Sequence, residues 1–312
     1  MSGYPHVPGP DPASNEQLQA LLDALYQRHN NAVSCTLIYG SCLRSGDIYD
    51  GLLDLYLICD NYRSAYGPGL LAAANWLLPP NVFYAQESAG DKTLRAKVTV
   101  ISIRDFERGC SRAWFESYIW GRFAQPTCIV QVRDAATRAR MECALLGAAK
   151  TLLQRALPSL PRSGSLLSLW EGALGLSYAT ELRTERSGRA AELVQSAAGF
   201  YAEVTRHHAG SLGHGFELSE AGDEAQYRAS PGASGKVLNR LGWALRKVQG
   251  KLLSILRLVK ALFTFEGGLD YIAWKLERHS GETVVIPDKV RRAPLIHLWG
   301  FFWGLYRRGI FK

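Results

Sequence analysis

The chain has 312 residues, of which 47% are hydrophobic and 21% are charged. This length and composition suffice to bury a sizeable core, and they exclude a disordered tail, a disulfide-stapled miniprotein and a collagen-like fibre. The net charge of +8 is unevenly placed: residues 231–312 hold 15 Lys and Arg against 5 Asp and Glu, whereas residues 1–230 hold 21 against 23. We therefore expect the C-terminal quarter to differ in function from the rest.

The cysteines and the N-terminal residues indicate the compartment. The six cysteines form no Cys-x-x-Cys pair, and several lie in apolar runs. This pattern favours buried free thiols in a reducing compartment over a disulfide framework or a zinc site. The first residues are polar and rich in Pro and Gly, unlike a secretory signal or a transit peptide. No run is long and apolar enough to span a bilayer, so we expect a cytoplasmic protein.

The first part of the chain alternates between helical and extended patterns. Residues 1–14 are interpreted as a flexible leader, and a helix is expected to follow over 15–29. Further helices are predicted over 69–78, where Pro79-Pro80 ends the helix, and over 104–121. Apolar runs predict strands at 33–39, 52–59, 82–86, 94–103 and 127–132. The prediction is an α+β fold whose N-terminal domain, residues 1–134, holds a mixed sheet with flanking helices.

The second part is predicted to be helical. Residues 135–210 are expected to form a helical domain that closes over the first, with helices at 166–182 and 190–208. Residues 211–235 are rich in Gly, Ser and acids and are interpreted as a linker. The remainder, 236–312, is predicted to be a basic helical extension. Its apolar residues recur at alternating spacings of three and four from Leu238 to Leu262, which indicates one helical face.

This extension is interpreted as a membrane-associating segment. Seven Lys and Arg and no acid lie between Lys236 and Lys260, beside the apolar stripe. An aromatic-rich segment at 294–308 suits the headgroup boundary. An anionic membrane surface is therefore the expected partner. One alternative is a core helix whose Lys and Arg are solvated on its far side, and another is a nucleic-acid surface. The absence of acids and the clustered aromatics favour lipid, and no nucleic acid is expected.

One motif carries chemistry: Gly40-Ser41 at the end of one predicted strand, and Asp54 within the next. Gly40 lets the backbone approach a triphosphate, and the Ser41 hydroxyl with nearby N–H groups can bind phosphate oxygens. Asp54 offers a hard oxygen ligand to Mg²⁺, which neutralises phosphate charge. The alternative is a turn serine and a buried, paired aspartate.

The pattern of Gly40-Ser41 and Asp54 is similar to that of the DNA polymerase beta-like nucleotidyltransferases. Most of these carry a second carboxylate where Tyr56 stands here, and Asp60 could share the same strand face.

Beyond this motif, the chain resembles the mitochondrial-type phosphatidate cytidylyltransferases, also called the translocator assembly and maintenance protein family. The resemblance covers roughly residues 30–208. Its motifs occur in order: YGS from Tyr39, LLDLYLICD from Leu52, NVFYA from Asn81, AKVTVIS from Ala96, YIWGRFAQP from Tyr118 and GLSYATELR from Gly175. The chain departs from the family in a shorter loop between Ser41 and Asp54, in Glu181 where the family tends to have Asp, and in a C-terminal third without an obvious match.

The resemblance implies a Mg²⁺-dependent reaction of CTP with phosphatidate, giving CDP-diacylglycerol and pyrophosphate, at the cytoplasmic membrane face. It implies that Asp54 binds the metal, with Glu181 or Asp60 as a second ligand, and that Lys97 and Arg183 are cationic clamps. Gly40, Ser41, Tyr118 and Arg122 would bind the nucleotide or its phosphates. Without the resemblance, each of these charges could be a surface or paired residue, and Tyr118 a core aromatic. The alternatives are a nucleotidyltransferase with another acceptor and a non-catalytic lipid-binding relative.

Overall fold

The computed structural model describes residues 3–181, 188–219, 225–264 and 284–292, with isolated positions at 277, 297, 300, 303, 304 and 307. The described part of the chain forms a five-stranded sheet in the order β3-β4-β2-β1-β5. Strands β2 and β4 are parallel, and the other neighbours are antiparallel. The predicted α+β class, with a mixed sheet and flanking helices, is therefore confirmed. The strands are β1 Val33–Tyr39, β2 Leu53–Cys59, β3 Asn81–Ala89, β4 Lys92–Ser102 and β5 Cys128–Val132.

Helices cover both faces of this sheet. Most of the predicted helices are present within a few residues of the expected bounds. The helices are α1 Glu16–Arg28, α2 Ser41–Ser45, α3 Tyr62–Tyr66, α4 Leu70–Leu77, α5 Ile103–Gly109, α6 Trp120–Phe123, α7 Ala135–Ala156, α8 Leu166–Tyr178, α9 Arg189–Ser196, α10 Ala198–His208, α11 Ala233–Thr264 and α12 Asp288–Arg292. A second, small sheet joins β6 Ser163–Ser165, β7 Glu217–Ser219 and β8 Gln226–Arg228 in the order β6-β8-β7.

Strand β2 shows why the sheet lies in the middle of the molecule. Its residues are apolar on both faces apart from Asp54, so both faces must be covered. Leu55 and Leu57 pack with α1 and α3 in one buried cluster. Tyr56 and Ile58 pack with α5, α6, α7 and α8 in the other. Asp54, on the same face as Tyr56, is only partly covered and lies at the beginning of the strand.

The helix predicted over 104–121 is interrupted. It forms α5 and the short α6, and the chain between them folds back so that Ile119 lies against Gly109. A Cβ atom on Gly109 would lie 2.9 Å from two atoms of the Ile119 side chain, so the close approach depends on glycine. The loop between these helices carries Glu116 and Tyr118, which enter the site described below.

Three other segments differ from the sequence prediction. The helix expected over 190–208 is broken at Ala197, where φ is −135° and ψ is 33°, between α9 and α10. The proposed linker 211–235 contains β7 and β8, and buried Tyr227 of β8 donates to the carbonyl of Pro161 at 2.8 Å. The described part of the leader is packed on the body: the backbone N–H of Thr127 donates to the Tyr4 hydroxyl at 3.1 Å.

The six cysteines are unpaired and, except for Cys143, buried.

The long helix α11 is oriented with its apolar stripe outward. Trp243 and Arg246 are buried against the body of the protein. The stripe on the other side is exposed at Val237, Leu238, Leu241, Leu245, Val248, Leu252, Ile255, Leu256 and Val259. The alternative of a core helix with solvated Lys and Arg on its far side is therefore wrong. Among the residues that the structure describes, no helix combines the length and apolar character that crossing a bilayer requires.

Candidate active site

Asp54 and Gly40 lie against each other at one end of the sheet. The β1–β2 register places Asp54 opposite Tyr39, the residue before Gly40. Gly40 has φ +94°, and a Cβ atom there would lie 2.6 Å from Oδ2 of Asp54, so this position requires glycine for both its backbone and its space. Ser41 follows at the beginning of α2 and is exposed. The structure thus brings together the residues of the predicted phosphate and metal motif.

Lys97 lies beside Asp54 because the two are register partners on parallel strands β2 and β4. The Nζ atom of Lys97 is 3.8 Å from Oδ1 of Asp54, which is an ion pair but too long for a hydrogen bond. Their side chains are 36% and 24% exposed. A loose, solvent-accessible pair of this kind can exchange its partners for an incoming ion or phosphate at low cost.

Arg122, Tyr56 and Tyr118 form a polar chain above the same face of the sheet. Arg122 donates from Nη1 to the Tyr56 hydroxyl at 3.4 Å, and its guanidinium carbon lies 4.3 Å from the ring centroid of Tyr118. Tyr56 in turn hydrogen-bonds Tyr118, an interaction that raises the pKa of Tyr56 and lowers that of Tyr118.

Several cations act on Tyr118. Its burial favours the neutral phenol and by itself raises the pKa, but Arg122, Lys97, Arg257 and the bond from Tyr56 outweigh burial, so that the pKa of Tyr118 lies below its ordinary value. Burial instead dominates at Tyr56, whose pKa is raised.

Glu181 is joined to this cluster through Arg122. Its Oε1 lies 3.3 Å from Nη2 of Arg122, and its side chain is 30% exposed. Burial of Arg122 opposes its charge, but the neighbouring tyrosines and Glu181 more than compensate, and the pKa of Arg122 is raised. Arg183, the other cation expected near Glu181, lies outside the described residues.

Asp60 is not part of this site. It follows the far end of β2, six residues and therefore about 20 Å along the strand from Asp54. There it makes a bidentate pair with Arg133, at 2.8 and 2.9 Å. The sequence prediction that Asp60 could share a metal ion with Asp54 is corrected on this ground: alternation gives both the same face, but they lie at opposite ends of the strand.

Two residues of the cluster were not predicted from the sequence: Arg257 of α11 and Glu116 of the loop before α6. The guanidinium carbon of Arg257 lies 4.2 Å from the ring centroid of Tyr118, and Glu116 forms a bidentate ion pair with Arg257. Arg257 is 139 positions from Tyr118, and nothing in its local pattern separates it from the other basic residues of α11. The sequence does show that Arg257 does not belong to the apolar stripe, and therefore that it lies on another face of α11.

Two cavities border this region. A cavity of about 210 Å³ begins at Gly40 and is lined by Arg44, Gln125 and Ser196. A larger one, about 930 Å³, lies between α4 and α11 and contains Asp60 and Glu116 but not Asp54. In the described part of the chain, no group of three or more His, Cys, Asp or Glu is arranged to hold a metal ion.

Comparison with known proteins adds no assignment. No protein-family model matches the chain, and no curated protein matches it significantly.

Proposed function

We propose that the chain is a nucleotidyltransferase that uses CTP and phosphatidate, forming CDP-diacylglycerol and pyrophosphate. The observation that carries this proposal is the convergence of Gly40, Asp54, Lys97, Arg122 and Tyr118 at one partly exposed end of the sheet. The ordered motifs that resemble the phosphatidate cytidylyltransferases support it, and so does the mixed sheet with flanking helices.

The donor set fits Mg²⁺ bound together with a triphosphate. Mg²⁺ is commonly held by one or two carboxylates, with substrate phosphates and water completing its coordination. Asp54 and Glu181 are the carboxylates that contact Lys97 and Arg122, each through one ion pair, whereas Glu116 is held by Arg257. When bound there, the metal would neutralise charge on the phosphates.

The chain's own residues would bind and orient the reactants. The acceptor, a phosphate monoester, is already anionic near neutral pH, so that no strong general base is required and charge repulsion is the main barrier. Lys97 and Arg122 would exchange their carboxylate partners for phosphate oxygens, while the Tyr118 hydroxyl would donate a hydrogen bond to a further phosphate oxygen. Ser41 and the backbone after Gly40 would contact the remaining oxygens.

The outward stripe of α11 favours a lipid acceptor over a small polar one. Its leucines and valines are about half to two-thirds exposed, from 44% at Leu256 to 69% at Leu238 and Val248. Four of the seven basic residues, Lys236, Arg240, Lys247 and Lys251, remain at the surface, whereas Arg246, Arg257 and Lys260 turn toward the body. An apolar face with flanking cations is typical of helices that lie on an anionic bilayer.

The test is pyrophosphate release from CTP, Mg²⁺ and phosphatidate vesicles, with parallel reactions containing other nucleotides and acceptors. We expect release with CTP and phosphatidate, and a decrease of about a hundredfold or more in Asp54→Asn, because that change removes the charged oxygen ligand. Asp60→Asn, directly after the far end of the same strand, is the matched control and should retain activity. If pyrophosphate were released only with another acceptor, that acceptor and not phosphatidate would be the substrate. Absence of nucleotide binding would favour a non-catalytic lipid-binding protein.

A further inference from the structure

The inner face of α11 holds a fixed cation next to the candidate site. Arg257 donates from Nη1 and Nη2 to Glu116 at 2.6 and 2.8 Å, and from Nε to the carbonyl of Pro79 at 3.0 Å. The Glu116 side chain is 4% exposed and that of Arg257 is 12%. A buried bidentate pair of this kind fixes both side chains in one geometry. The guanidinium of Arg257 is therefore held in one position.

The guanidinium of Arg257 lies against the ring of Tyr118. The ring of Tyr118 contacts two guanidinium groups, Arg257 at 4.2 Å and Arg122 at 4.3 Å from its centroid. Arg122 belongs to the site itself, whereas Arg257 belongs to the surface helix. Cations at this distance from a ring attract it and hold its orientation. The orientation of the Tyr118 ring, and with it the position of its hydroxyl group, therefore depends on α11.

A second contact joins α11 to the other side of the cluster. A Cβ atom on Gly250 would lie 2.5 Å from the carbonyl oxygen of Thr180. Thr180 directly precedes Glu181, whose carboxylate meets Arg122. The absence of a side chain at Gly250 therefore permits α11 to approach the segment that carries Glu181.

We propose that α11 is a working part of the anion site, in which Arg257 is a positioning residue that orients Tyr118 for phosphate binding. This inference rests on the proposed function, since it concerns the same anion site. The site then binds an oligophosphate with full affinity only while α11 is packed against Glu116 and Tyr118. The same helix carries the apolar stripe on its outer side, so that a contact which shifts α11 also changes phosphate affinity.

The first test compares two glycine substitutions on α11 by calorimetric titration with inorganic pyrophosphate and Mg²⁺. Gly250→Ala places a methyl group against the Thr180 backbone, whereas Gly242→Ala meets only the flexible end of the Arg246 side chain, at 3.0 Å. Both substitutions replace a helical glycine by the best helix former. We expect pyrophosphate affinity to fall about tenfold in Gly250→Ala and to remain unchanged in Gly242→Ala. Unchanged affinity in Gly250→Ala would overturn the proposal.

The second test changes the cation itself. Arg257→Gln should weaken pyrophosphate binding about tenfold, and Arg257→Lys should recover most of the loss because it keeps a charge near Tyr118. The double variant Arg257→Gln/Glu116→Gln leaves no buried carboxylate unpaired, so that it tests the same charge even if the single Gln variant unfolds. Wild-type affinity in the folded double variant, or a Lys variant as weak as the Gln variant, would overturn the proposal. Failure of the wild-type chain to bind pyrophosphate would overturn the proposed function instead.

Discussion

Gly40 and Gly46 flank α2, and both have positive φ, at +94° and +72°. They differ in what a side chain would meet: a Cβ atom on Gly40 would lie 2.6 Å from Oδ2 of Asp54, whereas nothing lies within 4 Å of one on Gly46. Alanine strains the backbone at both positions, by about 1–2 kcal/mol at Gly46, where ψ is 0°, and by about 1–3 kcal/mol at Gly40, where ψ is −157°. Only Gly40→Ala should also displace the Asp54 carboxylate.

We therefore expect both variants to unfold at a lower temperature, and only Gly40→Ala to lose binding of pyrophosphate with Mg²⁺. Thermal unfolding and titration calorimetry on the two variants measure these effects separately. If Gly46→Ala lost binding to the same extent, the backbone conformation of α2 would matter, and not the contact with Asp54.

His208 at the end of α10 makes folding stability depend on pH. Burial, helped by nearby His207 and Lys150, lowers the pKa of His208 to about 4, although its Nε2 bonds the Leu146 carbonyl at 2.9 Å. The pKa in the unfolded chain is about 6.5. Protons therefore bind the unfolded chain more strongly, and the contribution of neutral His208 is complete above about pH 6.5 and is lost as the pH falls toward 4.

Urea unfolding at pH 7 and pH 5 measures this effect. The free energy of unfolding should fall from pH 7 to pH 5 in the wild-type chain. The fall should be smaller in His208→Gln, which keeps a donor for the Leu146 carbonyl but does not titrate. Part of the fall should persist, because burial also lowers the pKa of His29 to about 4. An equal fall in both chains would show that His208 is protonated to the same extent in its folded and unfolded states.

At the scale of elements, the sequence was most informative where a pattern is local. The apolar runs of β1 and β2 and the Gly-Ser turn between them predict the strands, and the register that joins Tyr39 to Asp54 follows from their antiparallel pairing. The loop that carries Glu116 and Tyr118 was predicted as part of one helix over 104–121 from local sequence preference alone. The contact of Ile119 with Gly109 overrides that preference, and periodicity cannot show such a tertiary contact.

The apolar stripe of α11 is a second feature whose tertiary contacts the sequence cannot show. Periodicity gives an apolar face but not whether the protein covers it. The structure leaves Leu245 and Val248 exposed at 54% and 69% and buries Trp243 to 3%. Hence Leu245→Glu with Val248→Glu should leave the free energy of unfolding nearly unchanged, within about 0.5 kcal/mol per site, and should reduce sedimentation with anionic vesicles.

Trp243→Ala is the contrasting variant. Trp243 packs on Trp120 and donates from Nε1 to the Arg155 carbonyl at 3.0 Å, so that its removal should cost about 3–5 kcal/mol of unfolding free energy. A glutamate pair that unfolded the chain, or one that bound vesicles like the wild type, would contradict the outward orientation of the stripe or its contact with lipid, respectively.

At the scale of the whole molecule, a second exposed apolar surface lies on α4, close to α11. Helix α4 exposes Trp76 by 73% and Leu77 by 77%, and the segment directly after it is joined to α11, where Lys260 donates to the carbonyls of Leu78 and Pro80 at 2.7 Å. Both helices line the large cavity. A molecule that rests on a bilayer with both surfaces would have a fixed orientation, with the end of the sheet that carries Asp54 at a constant distance from the lipid headgroups.

This arrangement predicts that α4 contributes to membrane binding independently of α11. Trp76→Ala should weaken binding to anionic vesicles about tenfold without lowering the unfolding temperature, because an exposed tryptophan contributes area to a bilayer contact but little to the core. Its effect should add to that of the glutamate pair in α11, since the substituted residues lie on separate elements. Vesicle sedimentation with the single and combined variants measures both effects. If Trp76→Ala bound like the wild type, the protein would meet the bilayer through α11 alone, and the distance of Asp54 from the headgroups would not be fixed by two contacts.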